Sequence, residues 1–491
     1  MFKRISKKRF ITCTAKALLI IVVFSAVLVL LDRILLLKSK DGIEQIHAYY
    51  KQPEDSVDVL FVGSSHIFCH VNTGILWDDY GISAFDLAAA EQPFWNSYYY
   101  IKEGLKTQTP ELIVLDISTP GIRPTDYQPE NWLITNNYGM KYGKDRYDAI
   151  KISALKDSFN RLIIPFNSTH GKYSDLSEED FMEYSGSVNF KGFDPRETTV
   201  PFEVHDVSSV TGRHELTEKE EKYLRLIISY VKERNIPLLF ISTPYVIETD
   251  EEQEKYNYIF DIADEYGVPH VDFNLLYDEM GIDFATDFAE VLHLNRSGNE
   301  KFTKYLGKYL KDNYELADHR GDKKYASWDA DALYQRQDDA AFILKYIATA
   351  EPADGGFLDN LNNDNYVIFC NVPPAYEGVS DPSLIPFLNA IGLSEDKLND
   401  YGAFILNKGQ IIYESHDYNF KAGINDGNRR MLFYRTTDEN SGYMETIVRT
   451  NGSMGYQKVT GYEKYTMPQD GLGFYVYDTV LDRTICGYTM H

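Results

Sequence analysis

Val57-Asp58-Val59-Leu60-Phe61-Val62-Gly63-Ser64-Ser65-His66 is the stretch that decides the fold. Val57 to Val62 is a short run rich in Val, Leu and Phe, the pattern of a strand buried on both faces as in a parallel sheet. It stops abruptly at Gly63-Ser64-Ser65. Open α/β sheets place their ligand crevice outside the carboxyl ends of the strands, so a hydroxyl at this point is a candidate nucleophile. A serine hydroxyl is weak at neutral pH and needs an imidazole, itself oriented by a carboxylate. The chain supplies both late, in Glu290-Val291-Leu292-His293-Leu294-Asn295. A spacing of three puts Glu290 and His293 on one face of a helical turn, close enough to hydrogen-bond.

Outward from the first strand, strand and helix patterns alternate for much of the chain. The further strands are expected at Ile82 to Leu87, Leu112 to Ile117, Pro237 to Ser242 and His270 to Phe273. Helices are expected at Pro93 to Thr107, Glu218 to Arg234, Glu251 to Tyr266 and Arg296 to Lys311. Thr217 with Glu220 makes a capping box, and Tyr223, Leu224, Ile227, Ile228 and Val231 form one apolar face. Such alternation predicts an α/β domain, a flavodoxin-like parallel sheet flanked by helices on both sides.

Gly63-Ser64-Ser65 after a first strand resembles the opening block of the SGNH/GDSL hydrolase superfamily, and Glu290-x-x-His293-Leu294-Asn295 is similar to its closing Asp-x-x-His block. The likeness runs from about Val57 to Tyr314, toward the membrane-anchored bacterial branch that includes the teichoic-acid D-alanyl-transfer and alginate O-acetylation proteins. It implies Ser65 as nucleophile, His293 as base and Glu290 as the group that orients it. Glu290 stands where Asp is usual, Gly-Ser-Ser replaces Gly-Asp-Ser, and no Gly-x-Asn-Asp block follows the third strand. Asp86-Leu87-Ala88 then aligns with the second block, Asn-Leu-Gly, which implies the Ala88 N–H as an oxyanion donor. The Gln92 amide is a candidate replacement for the missing asparagine. His66 is expected to line the site, and Ser64 is the alternative nucleophile. Asp116 is either a carboxylate at the site's edge or a cap for the following turn.

Composition narrows the class. The 491 residues allow two or three domains, and 44% hydrophobic with 25% charged residues is globular. A net charge of −25 argues against nucleic-acid binding, which needs clustered Lys and Arg. Four scattered cysteines, Cys13, Cys69, Cys370 and Cys486, make neither a disulfide framework nor a zinc site. Cys370 and Cys486 meet only if their strands are neighbours. His66, Cys69 and His70 have no matching second cluster, so neither metal nor cofactor is expected.

The expected organisation is a basic cytoplasmic tail at 1–16, a transmembrane anchor at 17–37, a stem at 38–55, the α/β domain at 56–315, a linker with a helix at 316–365, and a smaller α+β domain at 366–491. Lys3, Arg4, Lys7, Lys8, Arg9 and Lys16 precede the apolar run, which places the tail in the cytoplasm and the rest outside the cell membrane. No Ala-x-Ala site follows that run, so a retained single-pass anchor is favoured over a cleaved signal. Strand and helix rhythm fades between Pro124 and Val210, an insertion that reads either as a cap over the crevice or as a surface excursion. The strands after Tyr366, with a hairpin at Lys408-Gly409 and a helix from Pro382 to Ile391, are faintly similar to the lectin-like module of the interleukin-like inducer family. That likeness implies a binding module.

Two functions follow as expectations. One is an extracytoplasmic serine esterase or O-acyltransferase that acts through an acyl-serine on a cell-surface polysaccharide or teichoic-acid-like acceptor; the related branch implies a membrane-bound acyltransferase partner. The other is a catalytically inactive scaffold of a cell-envelope polymer assembly.

Overall fold

In the computed structural model the described residues are 7–36, 39, 41–122, 126–176, 178–181, 190–349, 361, 366–374, 376–379, 382–399, 401–417, 419–426, 429–437, 444–451, 463–467, 471–479 and 483–490. They fall into two compact units, Met1–Gln335 and Arg336–His491.

The first unit is built on five parallel strands, β1 (Val59–Gly63), β2 (Ala84–Ala88), β3 (Leu112–Asp116), β4 (Leu238–Ser242) and β5 (His270–Asp272), in the order β2-β1-β3-β4-β5. This is the flavodoxin-like doubly wound order. All five expected strands are present, each shifted by no more than two residues at an end. β1 lies between β2 and β3 with Val62 beside Leu87 and Leu115. Alternation divides its side chains between two cores. Leu60 and Val62 join Phe85, Leu87, Ile113 and Leu115 under the helices Phe94–Gly104, Glu218–Lys232 and Asp250–Tyr266. Val59 and Phe61 join Ala84, Val114 and Leu239 under Ser65–His70, Thr73–Tyr80 and Arg296–Asn313. Each fully buried aliphatic or aromatic side chain contributes about 1.5–3 kcal/mol, so a strand apolar on both faces is held most firmly at the centre of the sheet.

The Thr217–Glu220 capping box is present, and a second one, Thr249 with Glu252, opens Asp250–Tyr266. Three expectations about boundaries change. The stem, expected to be polar and helical from Asp41 to Asp55, does form a helix, Ile43–Tyr49, but Ile43, Ile46 and Tyr49 are wholly buried, because its apolar residues recur at helical spacing and pack on the domain. The linker helix, Ala326–Thr349, starts in the first unit with Trp328 and Ala332 in its core. The first helix runs from Lys7 to Leu35, earlier than the expected anchor, since a single lysine at position 16 does not end a helix. Its apolar span, Ile11–Leu31, has 21 residues and none of it is buried. At 1.5 Å per residue that is about 32 Å, close to the thickness of a bilayer's hydrocarbon core.

The second unit carries two antiparallel sheets. Strands β8 (Tyr366–Val372), β9 (Gly402–Asn407), β10 (Gln410–Ser415), β15 (Leu472–Asp478) and β16 (Arg483–Met490) form one, in the order β10-β9-β8-β15-β16. β11 (Lys421–Asp426), β12 (Arg429–Thr437), β13 (Met444–Asn451) and β14 (Glu463–Met467) form the other. Lys408 and Gly409, both at positive φ, make the β9–β10 turn. β15 separates Cys370 on β8 from Cys486 on β16, so the two are not on neighbouring strands; Cys370 is a buried free thiol. The sequence pattern marks strands at 366–372, 403–415, 431–437, 444–450 and 472–490 and misses β11 and β14, whose Gly423 and charged residues dilute the alternation.

Candidate active site

Gly63 ends β1 and Ser64 turns the chain into the helix Ser65–His70. Ser64 is its N-cap, accepting the His66 N–H at 3.2 Å. Its hydroxyl donates to Asp116 Oδ2 at 2.8 Å, while Ser118 donates to Asp116 Oδ1 through its N–H at 3.1 Å and its hydroxyl at 2.6 Å. Burial pushes the Asp116 carboxyl up, and these hydrogen bonds oppose the shift. Asp116 is therefore a cap, for its own turn and for the neighbouring one. Ser64 is spent on it, which leaves Ser65 as the available hydroxyl. A Cβ on Gly63 would lie 2.5 Å from the Asp116 Cβ, so this turn tolerates only glycine.

Ser65 Oγ lies 2.7 Å from His293 Nε2, and the other ring nitrogen, Nδ1, is hydrogen-bonded to Glu290 Oε1. The three side chains named from the sequence thus form one continuous line. The local structure that delivers the last two differs from the expected helical turn. Phe288–Glu290 (β6) and His293–Leu294 (β7) make a tight antiparallel hairpin with Glu290 opposite His293. Facing residues in such a pair lie about 5 Å apart, which gives the same proximity by another route. Phe288 and Leu294 are fully buried, and that burial sets which side chains of the hairpin turn outward. The hydrogen bond to His293 holds Glu290 below the usual carboxylate range, with Arg196 adding to the effect. Glu290 is thus ionised when it orients the imidazole.

A second set of imidazoles braces the first. His70 Nε2 accepts the Leu294 N–H at 3.1 Å, so its proton sits on Nδ1, 3.1 Å from Thr243 Oγ1. Having accepted there, the Thr243 hydroxyl has its own hydrogen for His66 Nδ1, also at 3.1 Å. Burial depresses the pKa of both His66 and His70 well below the ordinary histidine value, so both are neutral. The His66 and His70 rings lie 5.7 and 5.8 Å from the ring of His293. His66 therefore lies beside the imidazole of His293. Sequence reasoning missed Thr243 and the role of His70, although Ser242-Thr243-Pro244 ends β4 where the same strand-end logic applied to Ser65.

The expected oxyanion donors fit less well. The Ala89 N–H bonds Gly63 O and the Asp86 N–H bonds Lys191 O, so strand alternation turns the Ala88 N–H to the outer edge of the sheet, away from β1. The Gln92 amide is buried and donates to Ser97 Oγ at 3.1 Å. The Ser65 N–H, in the first turn of its helix, has no acceptor among the described residues. A cleft of about 420 Å³ borders Glu290 beside Gly121, Glu248, Thr249 and Leu292. It contains neither Ser65 nor His293, so it adjoins the acyl site without being it. The insertion does not act as one piece: the Val200 and Phe202 N–H groups bond Phe288 O and Phe284 O, bracing the hairpin, whereas Leu133, Tyr138 and Leu162 pack around Leu36 and Ile43.

No protein-family model matches the chain, and no curated protein matches it in sequence. Among solved structures it is similar to a protein assigned to the G-D-S-L lipolytic family from Desulfitobacterium hafniense, at 9% identity over 51% of this chain and 97% of that one, with a TM-score of 0.27. A protein assigned as an acylhydrolase, from Bacteroides fragilis, gives 11%, 54%, 93% and 0.29 in the same order. A catalytic mutant of an acetylxylan esterase from Geobacillus stearothermophilus gives 11%, 54%, 97% and 0.27. With superpositions this loose, the chemistry rests on the side-chain geometry above.

Proposed function

We propose that this protein is a serine esterase or O-acyltransferase that works through an acyl-Ser65 intermediate, anchored by its first helix with the two folded units outside the cell. The observation that carries this reading is the 2.7 Å contact of Ser65 Oγ with an imidazole whose far nitrogen is held by a carboxylate. His293 Nε2 takes the hydroxyl proton as Oγ attacks the ester carbonyl, and Glu290 stabilises the imidazolium that forms. The Ser65 N–H is the donor best disposed to the developing oxyanion. The imidazolium then protonates the departing alcohol, leaving the acyl group on Oγ. Water attacking that ester completes hydrolysis, and a sugar hydroxyl completes transfer. A cell-surface polysaccharide or teichoic-acid-like polymer fits as acceptor, with the acyl group supplied by a membrane-bound acyltransferase when transfer is the outcome.

A fluorophosphonate probe tests the reading directly. The full chain labels once, and Ser65→Ala, or prior exposure to an unlabelled phosphonate, abolishes the signal. Absence of labelling in the folded wild type, or labelling that survives Ser65→Ala, would sink it.

A further inference from the structure

The last turns of the first helix are not free of the domain. Leu28, Leu31 and Ile34 are partly covered, and Leu35 and Leu36 are buried, a spacing that marks one helix face. That helix lies in contact with Phe166–Thr169, His170–Asp175 and Glu178–Phe181. The segment of residues 155–176 and 178–181 is fastened to the body of the first unit from beneath: Leu36 shares a small core with Ile43, Tyr138, Ala154 and Leu162, and Tyr138 Oη donates to Leu162 O at 2.9 Å.

Its outer surface is unusual. Tyr173 is 72% exposed, Phe181 65%, Leu155 55%, Ile164 47% and Leu176 40%. Two of its charges are neutralised locally, Arg161 by Glu130 and Lys172 by Asp180. Large apolar side chains gathered on one exposed segment mark an interaction surface rather than a solvated one. The position of this segment names the partner. The partly covered Leu28 and Leu31 lie in the last turn of the apolar span Ile11–Leu31, so the domain meets the helix within about 5 Å of the end of that span. Interfacial helices sink about 5–10 Å into the boundary between headgroups and acyl chains.

We propose that residues 155–176 and 178–181 form a collar seated in the outer face of the lipid bilayer, with Leu155, Ile164, Tyr173, Leu176 and Phe181 in the interface around the emerging helix. The collar holds the α/β unit against the membrane at a fixed height, where a tether alone would let it swing. It rests on the reading of the first helix as an anchor. Asp157, Asp175, Glu178 and Glu179 outnumber Lys156 among the segment's other charges, so apolar side chains and not basic contacts hold the collar, and a zwitterionic bilayer is sufficient.

The experiment places single spin labels on the full chain in phosphatidylcholine nanodiscs, in a Cys13→Ser, Cys486→Ser background; Cys69 and Cys370 are buried. Labels at Tyr173→Cys and Phe181→Cys are compared with Phe24→Cys in the apolar span and Leu226→Cys on the helix Glu218–Lys232. The collar predicts an oxygen-to-nickel-chelate collision ratio at positions 173 and 181 at least threefold above that at 226 and below that at 24. A ratio at both positions equal to that at 226, with 24 in lipid, overturns the collar and leaves the anchor standing. If 24 also matches 226, the anchor reading fails with it.

Discussion

At the scale of single residues, the arrangement around His293 makes His70 a positioning residue. Its Nε2 fixes the backbone immediately after the base through the Leu294 N–H. Misplacing reacting groups by about 1 Å can cost a hundredfold in rate. We expect His70→Leu to lower kcat for p-nitrophenyl acetate by at least tenfold with KM little changed, and His70→Gln, which keeps an acceptor near the same place, to recover most of it. Equal rates for all three would show that the contact is idle. Asp86 sets a different problem. It is fully buried in β2, and neither carboxyl oxygen has a partner among the described residues. Burial raises its pKa well above 3.8. A carboxyl raised in the folded state costs stability above its folded pKa, and that cost fades as pH falls through the folded pKa toward the unfolded one. Asp86→Asn should therefore raise the unfolding free energy at pH 8 by ~2 kcal/mol and flatten the wild-type gain on acidification to pH 5. Urea titrations at the two pH values check both; a variant less stable than wild type at pH 8 would refute the argument.

Among the elements, the turn after β1 and the β6–β7 hairpin carry the proposed chemistry, and they differ in how far the sequence foretold them. Gly63-Ser64-Ser65 was legible because a buried strand ending in small polar residues has few other readings. The hairpin was not, since Glu290 and His293 at a spacing of three satisfy a helical turn and a tight antiparallel pair alike; only the burial of Phe288 and Leu294 distinguishes them. Ala88 was misjudged because alignment to a block says nothing about which way a strand's N–H points. Thr243 and His70 escaped for another reason: each bonds a residue distant in the chain, and no local pattern encodes that. The crowding at Gly63 yields a sharp expectation. Gly63→Ala forces Asp116 away and so releases Ser64 and the helix behind it. It should lose phosphonate labelling and several kcal/mol of stability. By contrast, Thr217→Ala, which removes only the cap of Glu218–Lys232, should cost about 1 kcal/mol and leave labelling intact. If Gly63→Ala labels at the wild-type rate, the turn does not control Ser65.

Across the whole molecule, the parallel sheet and the apolar first helix follow from hydrophobic pattern, whereas the strand order does not, because no local pattern says which strands pair. Nor do the unit boundaries, because Ile43–Tyr49 and the start of Ala326–Thr349 are amphipathic helices that look like linkers until a core is there to receive them. An anchored chain with its units outside should stay in the membrane fraction through an alkaline carbonate wash. Protease added to intact cells should remove its labelling activity; activity that resists external protease until the cells are opened would reverse the orientation.

Ser65 and His293 are 228 positions apart, yet they touch. Ser65 opens the helix that follows the first strand, while His293 arrives on the hairpin just before Arg296–Asn313. A nascent chain that has not yet completed that hairpin carries an inert alcohol. On the proposed mechanism, phosphonate capture is thus a gauge of maturation as well as of catalysis, counting only those copies in which the separate β6–β7 hairpin has docked.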